Sequence, residues 1–278
     1  MPKSTQQYSG FNRLKPVIEI VKACVWTGAL ADENPVSVML IAEQESCKTE
    51  VLKHFYGTPT IQYQSDVTSK GVATFKRDIM EHRLKHLCLL DLVKILAHGK
   101  GVSERTLQTL STLMEEGESG TSDGGGRENW STEENPWPRI GVMMAITTSF
   151  FNGKAGHWRK TGFMSRFLPV SFEYKEETVA TIHESIRKGL SLPPPEKQLW
   201  SLHPLAKVEI KTPHQRIVEL EARALGNKMD TYGFRYHKIL RSLIKASAAM
   251  ELRRVTIDKD AENITKWARY FAMERIEL

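Results

Sequence analysis

The chain is poor in cysteine. Its 278 residues include only Cys24, Cys47 and Cys88, and no two of them stand in a Cys-x-x-Cys spacing. Neither a zinc-ligand set nor a disulfide framework is therefore expected, and a reducing cytoplasm is the setting this usage suggests. Long apolar runs are also missing. No stretch of about 18 apolar residues occurs, so no membrane span is expected, and the opening "MPKSTQQYSGFNRLK" lacks the apolar core of a signal peptide. Glycine is missing in a more specific place. "VSVMLIAEQESCKTEVLKHF", Val36 to Phe55, has the strand–loop–Lys-Thr–helix layout of a phosphate-binding P-loop, yet the two glycine positions of G-x-x-x-x-G-K-[ST] hold Ala42 and Cys47. Glycine at such positions lets backbone N–H groups close round phosphates without a side chain intruding.

What is present is the balance of a globular chain, 40% hydrophobic and 26% charged, with a formal net charge of +6. The length suits one large or two modest domains. The excess of lysine and arginine is compatible with nucleic acid or another polyanion and does not by itself select one.

Residues 12–30 carry apolar residues at helical spacing. Strands are expected at 36–42, 60–65, 86–93 and 140–151, and helices at 48–56 and 103–117, the last starting at Ser103. The segment 118–138, "ESGTSDGGGRENWSTEENPWP", is polar and glycine-rich and reads as a long exposed loop or hairpin. "SLPPPEKQ", 191–198, reads as a linker, and 212–278 is almost purely helical in pattern. Strands alternating with helices indicate an α/β domain with a mainly parallel sheet, here over residues 1–190, followed by a helical domain over 191–278.

Three strand ends carry suggestive chemistry. The first leads into Lys48-Thr49. The third, "HLCLLD", ends at Asp91, the arrangement in which a carboxylate supports a magnesium ion beside nucleotide phosphates. The fourth ends in Thr147-Thr148, where a hydroxyl can reach a γ-phosphate or orient water. Parallel sheets bind ligands at the carboxyl edge where such ends meet.

With those residues in place, the chain resembles the AAA+ module of minichromosome-maintenance (MCM) helicases over roughly residues 15–275. "IEIVKACVWTGAL" before the loop, "SDVTSKGV" after the second strand, "LSTLMEEG" before a variable hairpin, and "GFMSRF" all follow that family's order. "YHKILRSLIKASAAMELRRVTIDKDAENI" is similar to its helical lid. The resemblance implies an AAA+ P-loop core with an all-helical lid, binding ATP and Mg²⁺. The loop Ala42, Glu43, Gln44, Glu45, Ser46, Cys47, Lys48, Thr49 and Glu50 would hold the nucleotide, with Thr49 and Asp91 on the metal and Thr148 (or Thr147) as the polar residue ending the strand. Arg166 would be an arginine finger reaching a neighbouring subunit's site. Lys238 sits nearest the lid's usual arginine register, with Arg235 one turn earlier as the alternative. The implied partners are further copies of the chain, in a hexameric ring or spiral, and DNA; no membrane is implied.

The departures bear on hydrolysis more than on binding. The family places a glutamate directly after the aspartate, where this chain has Leu92, and an asparagine where this chain has threonine. Its zinc-bearing N-terminal DNA-binding domain has no counterpart here. Glu115 or Glu116 could replace the missing base, or could be surface charge at a helix end. Arg127 and Trp130, in the segment where the family places a channel-facing hairpin, could contact nucleic acid; the alternative is a surface insertion. A compact DNA-acting ATPase of this kind suits a phage or mobile-element replication protein. The rival reading is a nucleotide-binding scaffold or helicase loader with weak or no hydrolysis, and a protein-remodelling chaperone is a third.

Overall fold

The computed structural model describes residues 11–117, 120–123, 126–129, 138–190 and 207–271. The first helix, α1 (Lys15–Thr27), takes Pro16 in its first turn and buries Val17, Ile20, Val21, Cys24 and Val25, as a proline at a helix start permits. Strand β1 (Ser37–Ala42) is buried at every position, so its uninterrupted apolar run is that of a parallel strand covered on both faces. Then follow α2 (Lys48–Lys53), β2 (Ile61–Gln64), α3 (Ser69–Ala73), α4 (Lys76–Met80), β3 (His86–Leu89), α5 (Leu92–Ala97) and α6 (Lys100–Glu115). A short antiparallel pair, β4 (Gly120–Asp123) and β5 (Gly126–Asn129), precedes β6 (Gly141–Thr147), α7 (Thr148–Lys160), β7 (Phe167–Ser171) and α8 (Glu176–Arg187).

The main sheet has five strands in the order β2-β3-β6-β1-β7, and every pairing in it is parallel. Three helices close the chain: α9 (Thr212–Lys228), α10 (Phe234–Met250) and α11 (Asp258–Ala268). The α/β sheet with C-terminal helices agrees with the sequence reading. Helix α10 packs on both α9 and α1, and an ion-pair group fastens it to the segment leading into β1. The Glu33 side chain is only 3% exposed and accepts from Lys245 at 2.6 Å, from Ser242 at 2.9 Å and from Arg241 at 3.1 Å. Among the described residues no helix is long and apolar enough to cross a membrane.

Several expected boundaries move. The third strand stops at Leu89 rather than 93, because Asp91 turns to cap α5, its Oδ1 accepting from the Val93 N–H at 3.1 Å. The fourth stops at Thr147, whose hydroxyl accepts from the Phe150 N–H, so 148–160 is helix. Helix α6 begins at Lys100, and the Ser103 hydroxyl donates to the Lys100 carbonyl inside the helix instead of capping it. Strand β7 was not expected, since Pro169 reads as a break; it is an edge strand, where the missing N–H is tolerated. The linker 191–198 lies outside the described residues.

Candidate functional site

The loop between β1 and α2 is organised by one lysine. Lys48 is 9% exposed, and its ammonium donates to the Ala42 carbonyl at 2.9 Å, to the Ser46 hydroxyl at 3.0 Å and to the Glu43 carbonyl. Burial lowers its pKa, and the nearby Glu43 carboxylate opposes that shift. The loop therefore wraps round its own cation. Glu43, Gln44 and Glu45 remain exposed on its outside, with Glu50 in the first turn of α2 beside Lys53 at 3.2 Å.

Two loop residues adopt the left-handed conformation, Glu45 at φ 59° and Cys47 at φ 60°. Glycine adopts it at no steric cost, whereas other residues bear strain there. Cys47 is one of the positions where the P-loop pattern asks for glycine, so the backbone keeps that shape without the residue that relaxes it. Burial raises the Cys47 thiol pKa, against a hydrogen bond from Tyr174 that lowers it. Tyr174, which the sequence did not flag, also donates 2.7 Å to the Ser46 carbonyl. Its only signal in the sequence is its place three residues beyond a strand hidden by proline.

The parallel register brings the expected strand ends to one edge. Ala42 pairs with Thr147, and Leu89, two residues before Asp91, pairs with Met144. Thr147 and Asp91 each spend one oxygen on a helix cap, and Thr148 is the first residue of α7 rather than a strand end. Thr49 is half-buried in the first turn of α2. Leu92, at the position following Asp91, is wholly buried.

Arg166 and Lys238 lie elsewhere. Arg166 immediately precedes β7, whose first residue, Phe167, pairs with Ser37 at the start of β1. It therefore stands at the opposite end of the strands from the loop, about 17 Å away along five residues of strand. Its guanidinium donates to the Gly162 carbonyl at 2.7 Å and lies 3.5 Å from a Glu116 carboxylate oxygen. Burial lowers its pKa, and neighbouring Arg235 adds to the shift against Glu115 and Glu116. Arg235 holds Glu115 at 3.2 Å and donates to the Ser165 hydroxyl at 2.7 Å. Lys238 lines a pocket of about 110 Å³ with Arg139, Arg166 and Arg235. Glu115 and Glu116 are thus partners of this arginine group, not of the loop. Arg127 falls on β5, opposite Ser122, and its side chain is outside the description, as is Trp130 altogether.

No family model matches the chain, and no curated protein sequence does. In structure it is similar to a full-length MCM homolog from Methanopyrus kandleri, with a TM-score of 0.53 and 12% sequence identity. The match covers 98% of this chain and 62% of that one. This chain thus spans less than two thirds of that protein's length, and at such identity the likeness is one of fold.

Proposed function

We propose that the chain is a subunit of an MCM helicase-like oligomer of the AAA+ type that binds ATP·Mg²⁺ and acts on DNA in the cytoplasm, its residues 1–190 forming the nucleotide-binding part and 191–278 the lid. One observation carries this reading. The Lys48 loop and the Arg166–Arg235–Lys238 group occupy opposite ends of the same strands, so a site containing both is completed by two copies. Lys48 and the N–H groups of the loop would hold the β- and γ-phosphates. Thr49 and the Asp91 oxygen not used in capping α5 would supply the one or two protein oxygens with which Mg²⁺ is ordinarily held beside substrate phosphates. When bound, the ion supplies charge neutralisation at the transferred phosphoryl group. Arg166 of a neighbouring copy would face that charge.

Substituting Lys48→Ala is expected to lower ATP affinity by at least about tenfold with the circular dichroism spectrum retained; unchanged affinity ends the P-loop reading. A second reading, a nucleotide-binding scaffold without turnover, is favoured by Leu92, which supplies no carboxylate to activate water. ATP turnover measured with and without single-stranded and duplex DNA separates the two, since DNA-stimulated turnover belongs to the motor alone.

A further inference from the structure

The turn joining α9 to α10 carries two aromatic side chains out into solvent. Tyr232 is 86% exposed and Phe234 74%, and their rings stack at 5.8 Å with planes 21° apart. A single exposed apolar residue needs no explanation, but a stacked pair is a contiguous patch. The turn that carries it is fixed. Gly233, between the two, lies at φ 78°, and a Cβ on it would meet the Ala222 carbonyl of α9 at 2.6 Å. A Cβ on Gly226 would meet the Gly233 backbone at 2.7 Å, and the Thr231 N–H donates to the Gly226 carbonyl at 2.9 Å. Both rings are thus displayed from backbone locked against α9.

A cleft of about 520 Å³ opens between this turn and the end of α7, and Thr231 and Arg235, which flank the pair, both line it. From α7 come Arg159 and Lys160, exposed and without an ion-pair partner among the described residues. Asp230 is the one acid in the lining. Tyr236, which also lines the cleft, is wholly buried, and its hydroxyl has no hydrogen-bond partner. The Arg159 and Arg235 guanidiniums lie near enough to that hydroxyl to oppose the burial that raises its pKa. Buried polar groups ordinarily have partners, and an anion drawn between these cations would supply one.

Flat rings beside unpaired cations are the means by which proteins hold single strands, bases stacking on the rings while phosphates follow the charge. A duplex keeps its bases stacked inside and offers the rings nothing. An isolated phosphate would leave them unused, and two rings present more face than one base covers. We infer that Tyr232 and Phe234, together with Arg159 and Lys160, form a binding site for single-stranded DNA. The inference rests on the proposed function for its substrate, DNA, and adds a site that neither the Lys48 loop nor Arg166 supplies. Arg235 stays engaged with Glu115 and Ser165, and Arg166 with the Gly162 carbonyl.

The test is fluorescence anisotropy of a labelled oligothymidylate titrated with the full chain, without ATP, over a range of salt. One variant carries Tyr232→Ala with Phe234→Ala, another Arg159→Ala with Lys160→Ala; all four residues are exposed, and circular dichroism checks that both variants fold. The aromatic variant is expected to lose at least about fivefold in affinity with the salt dependence unchanged. The cation variant is expected to lower the slope of log affinity against log salt by about 1.4, two phosphate contacts at about 0.7 each. Tyr232→Phe with Phe234→Tyr, which keeps both rings, is expected to bind as wild type does. Wild-type affinity in both alanine variants would overturn the inference and leave the proposed function standing. Equal binding of duplex DNA, or displacement of the oligonucleotide by inorganic phosphate or a mononucleotide at matched phosphate concentration, would also overturn it. Wild type that binds no oligonucleotide, while ATP binding still depends on Lys48, would overturn both the inference and the DNA part of the proposed function. Oligonucleotide binding lost as expected in the variants, with ATP affinity indifferent to Lys48→Ala, would uphold this site and end the P-loop reading alone.

Discussion

The Tyr174 hydroxyl donates to the Ser46 carbonyl across 2.7 Å, tying the chain beyond β7 to the middle of the Lys48 loop, 128 residues away in sequence. The loop is thereby held from outside as well as by its own lysine. Tyr174→Phe removes the bond and leaves the ring. It is expected to cost about 1 kcal/mol in urea unfolding and, on the proposed function, to weaken ATP binding more than Ser165→Ala, since the Ser165 hydroxyl meets Arg235 and the Gly162 carbonyl away from the loop.

The left-handed residues predict a gain. Glu45→Gly removes the steric cost of that conformation, about 1–2 kcal/mol, and restores roughly half of it as unfolded-chain entropy. A net stabilisation of about 0.5 kcal/mol is expected in chemical denaturation. Glu45→Val, with a branched Cβ at the same φ, should destabilise. Equal effects of the two substitutions would show that the backbone there is not left-handed in solution.

The fold was largely readable, and the reasons for the exceptions are local. Buried parallel strands announce themselves as apolar runs, which is why β1, β3 and β6 stand out, but the same apolar signal continues past their ends. Asp91 and Thr147 stop strands by capping helices, a choice made by backbone geometry and invisible in hydropathy. Proline concealed β7, and with it Tyr174. The Lys48–Asp91–Thr147 alignment followed from parallel pairing alone. The gathering of Arg166, Arg235 and Lys238 did not, because it depends on where α10 comes to rest against the sheet.

Stability should also depend on pH through His86. Its imidazole is completely buried, and neither nitrogen has a hydrogen-bond partner. Burial lowers its pKa to about 4; the Val36 and Cys24 carbonyls oppose this only partly, and Lys85 adds to it. The unfolded chain takes up this proton near pH 6.5, the folded chain only near pH 4. The contribution is therefore complete above pH 6.5 and is lost as pH falls between those values, about 3 kcal/mol in all. His86→Leu should flatten the slope of unfolding free energy across that window. A slope unaltered by the substitution would assign it to carboxylates.

Gly141 and His86 form a steric lock. A Cβ on Gly141 would meet the His86 Cδ2 at 2.5 Å and the Val36 carbonyl at 2.9 Å. Gly141→Ala is expected to destabilise by about 1–3 kcal/mol, the usual cost of overpacking. The double variant with His86→Ala should recover part of the loss, while the contact with Val36 keeps it from recovering all. Full additivity of the two changes in thermal unfolding would dissolve the lock.

In the helical part, Asp260 is buried and accepts from Arg253 at 2.7 and 2.8 Å, from the Ile257 N–H at 2.8 Å and from Ser247 at 2.8 Å. Arg253→Ala would strand that carboxylate and is expected to cost about 3–5 kcal/mol. Arg253→Ala together with Asp260→Asn should cost less than Arg253→Ala alone, as thermal melts of the two variants would show.

The Glu33 network has a mechanical meaning. Turning α10 away from the sheet would strip Glu33 of Lys245, Arg241 and Ser242 together and leave a buried charge alone, at about 3–5 kcal/mol. The C-terminal helices therefore do not swing on a free hinge. They are bolted to the root of β1, and Arg235, on the same helix, rides on that bolt. Arg235 is thereby tied to the foot of β1, whose far end leads into the Lys48 loop.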